Sequence, residues 1–177
     1  LSSPGAPGIG TEIPTNNKTH TFTGKLTYKL MENHTITATV WGDPSTRDGA
    51  LFTIAGPQST WKGTLDTGGT NSVVRWDAIL TDTTLLRAQF GQNRQKAQYG
   101  GPGTNQTQLL DFTQVPFART GGFSFFQNNE FIRNQVKADF TQFLGKHEIM
   151  IGGDFERTTT IAESNYGGGQ LIYKFNP

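Results

Sequence analysis

Three histidines, no cysteine and a scatter of hydroxyls and carboxylates are what this 177-residue chain has for chemistry. A metal site needs ligands that converge. His34 and His147 fall at matching places in separate segments, each beside a tight turn, and His20 lies near a loop. Turn contacts or solvent exposure are expected of them, not metal binding. Without cysteine there is no thiol nucleophile, disulfide or thiolate metal site. Ser72, Ser124 and Ser164 have no His at a telling spacing. Asp111, Glu130 and Glu163 are carboxylates of the kind any long polar stretch offers. Residues 42–49, with Gly42-Asp43 and Asp48-Gly49, space oxygen ligands beside glycine but lack the calcium-loop pattern and its closing Glu, so an Asx/Pro turn is expected. Gly100-Gly101-Pro102-Gly103 is followed by no Lys-Ser/Thr and is not a phosphate loop. The Asn-x-Thr triplets at Asn17, Asn33 and Asn105 are what an Asn- and Thr-rich chain yields by chance. The residues therefore predict no catalytic group, no metal, no cofactor and no enzyme activity.

The elements that position these residues follow from composition and periodicity. Fifteen Lys+Arg face fourteen Asp+Glu, so the basic excess of a nucleic-acid binder is missing and no nucleic-acid partner is expected. No apolar run approaches the ~18 residues of a membrane helix. Twenty-six Thr, 13 Phe, 4 Tyr and 3 Trp stand among Gly, Asn and Gln, a mixture that favours strands and polar loops.

Alternation then marks three hairpins, since residues two apart share one face of a strand. In the first, Phe22, Leu26, Tyr28 and Leu30 alternate with Thr21, Thr23, Lys25, Thr27 and Lys29. The turn is Met31-Glu32-Asn33-His34, and Ile36, Ala38 and Val40 alternate with threonines on the way back. In the second, Val74, Trp76, Ala78 and Leu80 alternate with Arg75, Asp77 and Ile79. Thr81-Asp82-Thr83-Thr84 is the turn, and Leu86, Ala88 and Phe90 alternate with Arg87, Gln89 and Gly91. In the third, Val136, Ala138 and Phe140 alternate with Lys137 and Asp139, Leu144-Gly145-Lys146-His147 turns, and Ile149 and Ile151 lead to Gly152-Gly153-Asp154-Phe155.

Long polar stretches, at about 43–70, about 92–129 and from 157 onward, are expected as loops. Tight turns would then lie at one end of the sheet and long loops at the other. That asymmetry, with strands of about ten residues, describes an antiparallel up-and-down transmembrane β-barrel with short periplasmic turns and long extracellular loops. Lipid would meet Leu26, Tyr28, Leu30, Ile36, Ala38, Val40, Val74, Trp76, Ala78, Leu80, Leu86, Ala88, Phe90, Val136, Ala138, Phe140, Ile149 and Ile151. Lys25, Lys29, Arg75, Asp77, Arg87, Lys137 and Asp139 would face the lumen, with Arg75/Asp77 and Lys137/Asp139 expected to pair across neighbouring strands rather than bind solute. Tyr28, Trp76, Phe90 and Phe140 are the expected aromatic girdle. Six strands do not close such a barrel, and an open edge in lipid leaves backbone groups unpaired. With a Pro/Gly-rich opening at 1–8 and a strand beginning near Leu171, the expectation is that residues 1–177 are part of one outer-membrane barrel domain of a longer polypeptide.

The segments 24–43 and 134–156 resemble the strand–turn–strand unit of TonB-dependent outer-membrane receptors, and in particular the large Oar-like type that carries a carboxypeptidase-regulatory-like domain. The residues concerned are Lys25-Leu26, Asn33-His34 and Gly152-Gly153-Asp154-Phe155-Glu156. Leu85-Leu86-Arg87-Ala88-Gln89-Phe90-Gly91 resembles a further strand. The likeness runs over about 18–157 and leaves the long loops unmatched. It implies a barrel of about 22 strands around a plug. It also implies a TonB box contacting TonB and energised import of a scarce iron chelate, oligosaccharide or peptide. Neither plug nor TonB box lies in these residues.

Loops on a rigid scaffold usually carry recognition. Phe112, Phe117, Phe123, Phe125 and Phe126 are therefore the candidate ligand-contacting group, against the alternative that this loop packs on itself. Expected partners are outer-membrane lipid, the remaining strands and plug, TonB by resemblance, and a small-molecule or peptide ligand. Two other functions stay open at this point: a passive porin-like channel, and a secreted carbohydrate-binding β-sandwich.

Overall fold

A computed structural model describes residues 5–8 and 10–174. Of the Pro/Gly-rich opening, residues 1–4 lie outside the described residues and 5–8 form no strand. In chain order the elements are β1 (Asn16–Thr19), β2 (Phe22–Met31), β3 (His34–Gly42), β4 (Ser45–Ala50), a 3-10 turn (Gln58–Thr60), β5 (Lys62–Thr81), β6 (Thr84–Gly100), β7 (Gln108–Asp111), β8 (Ala118–Gly121), β9 (Phe125–Leu144), β10 (His147–Tyr166) and β11 (Gln170–Tyr173). Among the described residues no helix is long and apolar enough to cross a membrane.

The main sheet is an antiparallel meander. β1 and β2 are one strand with a short break, and so are β3 and β4. Thr19 pairs with Ser45 and Phe22 with Gly42, and the His20 N–H donates to the Pro44 carbonyl between them at 2.9 Å. The register therefore runs unbroken past Pro44, which has no N–H to give. Counted this way, six strands lie side by side in chain order among the described residues, β1/β2, β3/β4, β5, β6, β9 and β10.

The three tight turns fall where the alternation places them, at residues 32–33, 82–83 and 145–146. In the third, Gly145 (φ +61°) takes the first loop position, which a type II′ turn reserves for glycine. The first two close with a register shift next to the turn, between Lys29 and Met31 and between Ile79 and Thr81.

The expected loop boundaries need correction. β5, β9 and β10 each run 20 residues and β6 runs 17. Much of 62–70, 92–100, 125–129 and 157–166 is therefore strand, not loop. At ~3.3 Å per residue a 20-residue strand is about 66 Å long. Crossing the hydrocarbon layer takes only ~9–11 residues. These outer halves carry Gln, Asn, Thr and charge on both faces, so they lack the apolar alternation that marks the inner halves.

The register gathers the expected apolar residues on one face. Tyr28, Ile36, Trp76, Ala88 and Ala138 form one cross-strand row. Leu26, Ala38, Val74, Phe90, Val136 and Phe155 form the next. This face is largely uncovered: Leu26 is 70% exposed, Ile151 68% and Phe155 69%. Ala78 is the exception, buried between its register partners His34 and Leu86. A soluble β-sandwich would cover such a face with a second sheet. The only other sheet described, β11–β7–β8, belongs to the loop region, so the sandwich alternative fails.

Most of the well-buried side chains lie in a cap built by the loops at the far end. Trp61, Phe123, Ala55, Ala118, Thr60, Gln108 and Ser124 are all buried there.

Candidate functional site

Lys25, Lys29, Arg75, Asp77, Arg87, Lys137 and Asp139 all stand on the face opposite the apolar one, in three adjacent rows. Lys29, Thr35, Asp77, Arg87, Asp139 and Gly152 make up the row nearest the turns. Asp77 receives two guanidinium groups, Arg75 Nε and Arg87 Nε, each at 2.8 Å. Arg87 sits directly across from Asp77, whereas Arg75 is two residues along the same strand. Lys137 reaches Asp139 at 3.5 Å, again along one strand. The expected cross-strand pairing is thus partly a within-strand pairing. Each such partly exposed pair contributes only ~0–1 kcal/mol. Beside them lies a hollow of about 430 Å³ whose lining includes Asp77, Arg87, Lys137 and Asp139 together with Ile79, Leu85 and Met150.

At the turn end of the apolar face, Trp76 Nε1 donates to His34 Nδ1 at 3.2 Å and the rings stack 5.6 Å apart. No group of three His, Asp or Glu placed to hold a metal occurs among the described residues. In the 42–49 segment, the Asp43 carboxylate accepts the Gly69 N–H at 3.1 Å and the Asp48 carboxylate accepts the Thr64 hydroxyl at 2.8 Å. Both carboxylates therefore bridge β3/β4 to β5.

The cap is tied together by hydrogen bonds from side chain to backbone. The Thr60 hydroxyl shares its one proton between the Ala55 and Pro57 carbonyls, at 2.6 and 2.7 Å. Ser59 donates to the Gly121 carbonyl at 2.5 Å, and the Phe123 N–H returns to the Ser59 carbonyl at 3.0 Å. Loop 51–61 is thereby fastened to loop 101–124. Ser124, buried at φ +56°, accepts the Gly168 N–H on its hydroxyl at 3.0 Å, and its carbonyl accepts the Gly167 N–H at 2.9 Å. These two bonds hold the chain after β10 and account for a non-glycine residue in the left-handed region.

Of the five candidate phenylalanines, the structure keeps two on the packing side. Phe123 is 1% exposed and Phe125 sits in the same aromatic cluster. Phe52 lies 5.0 Å from Phe123 and 6.0 Å from Phe125, and Tyr166 lies 5.8 Å from Phe125. Phe112 and Phe117 instead stack on one another at 5.3 Å, with Phe112 48% exposed. Phe126 is half-buried at the start of β9.

Tyr99, Phe125 and Tyr166 stand on the polar face of the sheet, by the same parity as Arg87, Lys137 and Asp154. Phe52 packs onto Tyr99 and Phe125 and against Phe123, so the cap folds over the polar face and not over the apolar one. Sequence reading missed Phe52, Trp61, Tyr99, Gln108 and Tyr166 as its components. Isolated aromatics in polar stretches were the available signal.

Two ionisable groups of the cap are shifted. Hydrogen bonds from the Thr113 hydroxyl and N–H, with one from the Gln114 amide, hold the Asp111 carboxyl below its usual range. Burial lowers the Arg119 guanidinium, whose Nη1 donates to the Thr53 carbonyl at 3.3 Å.

Comparison with known proteins agrees with this architecture. No curated protein matches the chain. A family model described as an outer membrane beta barrel domain matches residues 3–176. With an uncovered apolar face, a polar face lined by ion pairs and tight turns at one end, the chain belongs to the outer membrane β-barrel domain family, and its place is the bacterial outer membrane.

Proposed function

We propose that this chain forms part of the wall and the outer cap of a ligand-importing receptor of the TonB-dependent type. In this reading the apolar face, from Leu26 to Ile151, meets lipid, and the face carrying Lys25, Arg75, Asp77, Arg87, Lys137 and Asp139 lines the lumen. Among the described residues, β2 and β10 each have a neighbour on one side only. A strand edge in lipid leaves N–H and C=O groups unpaired, so further strands must flank both.

The observation that carries the proposal is the cap docked on the polar face. A passive pore needs an open mouth, whereas here Phe52, packed against Phe123, folds inward onto Tyr99 and Phe125. Strands about twice the spanning length hold that cap outward. Such a rigid, partly aromatic surface suits the capture of a ligand too large or too scarce to diffuse through. One accessible aromatic group on it is the Phe112–Phe117 stack. The chemistry is binding and transport. The resemblance supplies the energy coupling, through a plug and TonB outside these residues.

A porin-like channel is the reading to beat, and single-channel recording separates the two. The full-length protein in a planar bilayer is expected to stay closed until its plug is unfolded by denaturant or removed. A steady ohmic conductance from the untreated protein would establish the porin instead.

A further inference from the structure

Above the apolar rows, the same outward face of the sheet changes character within a few residues. The next row contains Val40, Ser72, Gln92, Asn134 and Arg157. The following rows bring Phe22, Thr70, Arg94, Ile132 and Thr159, then Gly68, Lys96, Glu130 and Ile161. Arg94 is paired with Glu130. Lys96 and Arg157 are exposed, and no acidic partner is found for either among the described residues. With the row of Gln98 and Asn128, which adds Lys18, Asp66 and Glu163, four cations stand against three carboxylates, and the excess lies at Lys96 and Arg157, directly above the apolar rows.

The band also has a recess. A hollow of about 420 Å³ is lined by Pro44, Gly68, Gly69, Thr70, Arg94, Lys96, Gln98, Asn128 and Glu130. Gly68 and Gly69 add no side chain to its lining. Gly68 has φ +91°, and a Cβ there would lie 2.3 Å from the Asp43 carbonyl oxygen. Arg94, Lys96 and the amides of Gln98 and Asn128 bring N–H donors to the recess, and this is the donor set a phosphate oxygen takes.

We propose that this outward recess and its basic band, centred on Arg94, Lys96 and Arg157, bind phosphate-bearing headgroups of lipid in the outer leaflet. The proposal rests on the face assignment made above, in which Leu26, Phe90 and Val136 point to lipid. Charge complementarity and position argue for lipid over a soluble anion. The band continues the lipid-facing surface at the level where hydrocarbon gives way to headgroups, and a basic side chain beside an anionic membrane surface is attracted by that surface. Bound headgroups would fix the height of the barrel and hold the outer strand halves against the leaflet.

The test uses the full-length protein, delipidated in detergent and titrated with mixed micelles of phosphatidylcholine containing or lacking phosphatidylglycerol. Lipids retained on the folded protein are counted by native mass spectrometry. Retention of phosphatidylglycerol over phosphatidylcholine is expected, weakening as salt is raised. Replacing Arg94, Lys96 and Arg157 by Gln should lower the apparent affinity about fivefold for each cation removed. Lys25→Gln with Lys137→Gln, on the polar face, should leave it unchanged. If the outward triple variant retains as much anionic lipid as the parent, the proposal is overturned while the face assignment stands. If the Lys25/Lys137 variant loses the lipid and the outward variant does not, the faces were assigned inside out and both readings fall. If inorganic phosphate alone displaces the lipid at equal phosphate concentration, the recess is a soluble-anion site and the lipid assignment is overturned.

Discussion

Gln108 donates its side-chain amide to the carbonyl of Phe123 at 3.2 Å, and both residues are almost fully buried. The same amide oxygen accepts from Gln170, joining β7 to β11. One neutral side chain thus serves the loop before β9 and the strand after β10. Replacing Gln108 by Leu would leave the Phe123 carbonyl with the Phe125 N–H alone and take the partner from the part-buried Gln170 amide, and each hydrogen bond lost contributes ~0.5–1.5 kcal/mol. The cap should loosen while the wall stays assembled. Protease added to intact cells should nick Gln108→Leu within 101–124 or 167–173, with the barrel still resistant to cold detergent.

Phe123→Ala should act on the same unit more strongly. Phe123 touches Phe52 and supports Tyr99 and Phe125 through it, and truncating a buried Phe typically costs ~3–5 kcal/mol. Phe112→Ala removes a half-exposed ring and should leave cap stability nearly unchanged while reducing ligand uptake. Hydrogen exchange of cap amides, followed beside an uptake assay, distinguishes a packing residue from a contact residue.

The contrast between those two phenylalanines shows where the sequence was legible. Apolar alternation in the inner strand halves is a local signal, because lipid on one side and polar lining on the other impose it on every strand. Tyr28, Trp76 and Ala138 could be placed on one face for that reason, and the turns at Glu32-Asn33 and Asp82-Thr83 with them. The outer halves face water and polar lining, so β5 near Thr67 and β10 near Thr159 carry no such period and read as loop. The cap core is non-local: Phe52 and Phe123 meet across dozens of residues, and no periodicity announces that meeting.

Gly68→Ala should be poorly tolerated although the residue is small and near the surface. Its φ of +91° suits glycine, and the new Cβ would meet the Asp43 carbonyl oxygen at 2.3 Å. The strain falls where Asp43 already binds Gly69, so β3/β4 should separate from β5 locally. A lower melting temperature of the folded, unheated form in semi-native electrophoresis is the expected readout.

Asp111 gives the cap a defined acid response. Its folded-state carboxyl is held below its ordinary value of 3.8 by the Thr113 hydroxyl and N–H and by Gln114. The stabilisation is fully present above that ordinary value, and it is lost as pH falls from there through the lower folded value. Asp111→Asn should remove this part of the pH dependence. Protease susceptibility of the 111–117 turn, compared between near-neutral and strongly acidic pH, should rise in the parent and change less in the variant.

Which face of the sheet meets lipid is tested most directly by placing the same charge on each. Ala138 sits in the apolar row with Trp76 and Ala88, and Gln135 lies on the opposite face beside Asp154, to which its amide donates at 2.5 Å. An Arg facing mid-bilayer costs ~2–4 kcal/mol, whereas one on the lumen side is tolerated. The measurement is the amount of heat-modifiable, folded protein in the outer-membrane fraction for Ala138→Arg and for Gln135→Arg. Assembly should fall sharply for Ala138→Arg and stay near the parent level for Gln135→Arg. Equal assembly of both, or a loss confined to Gln135→Arg, would contradict a wall whose apolar face meets lipid.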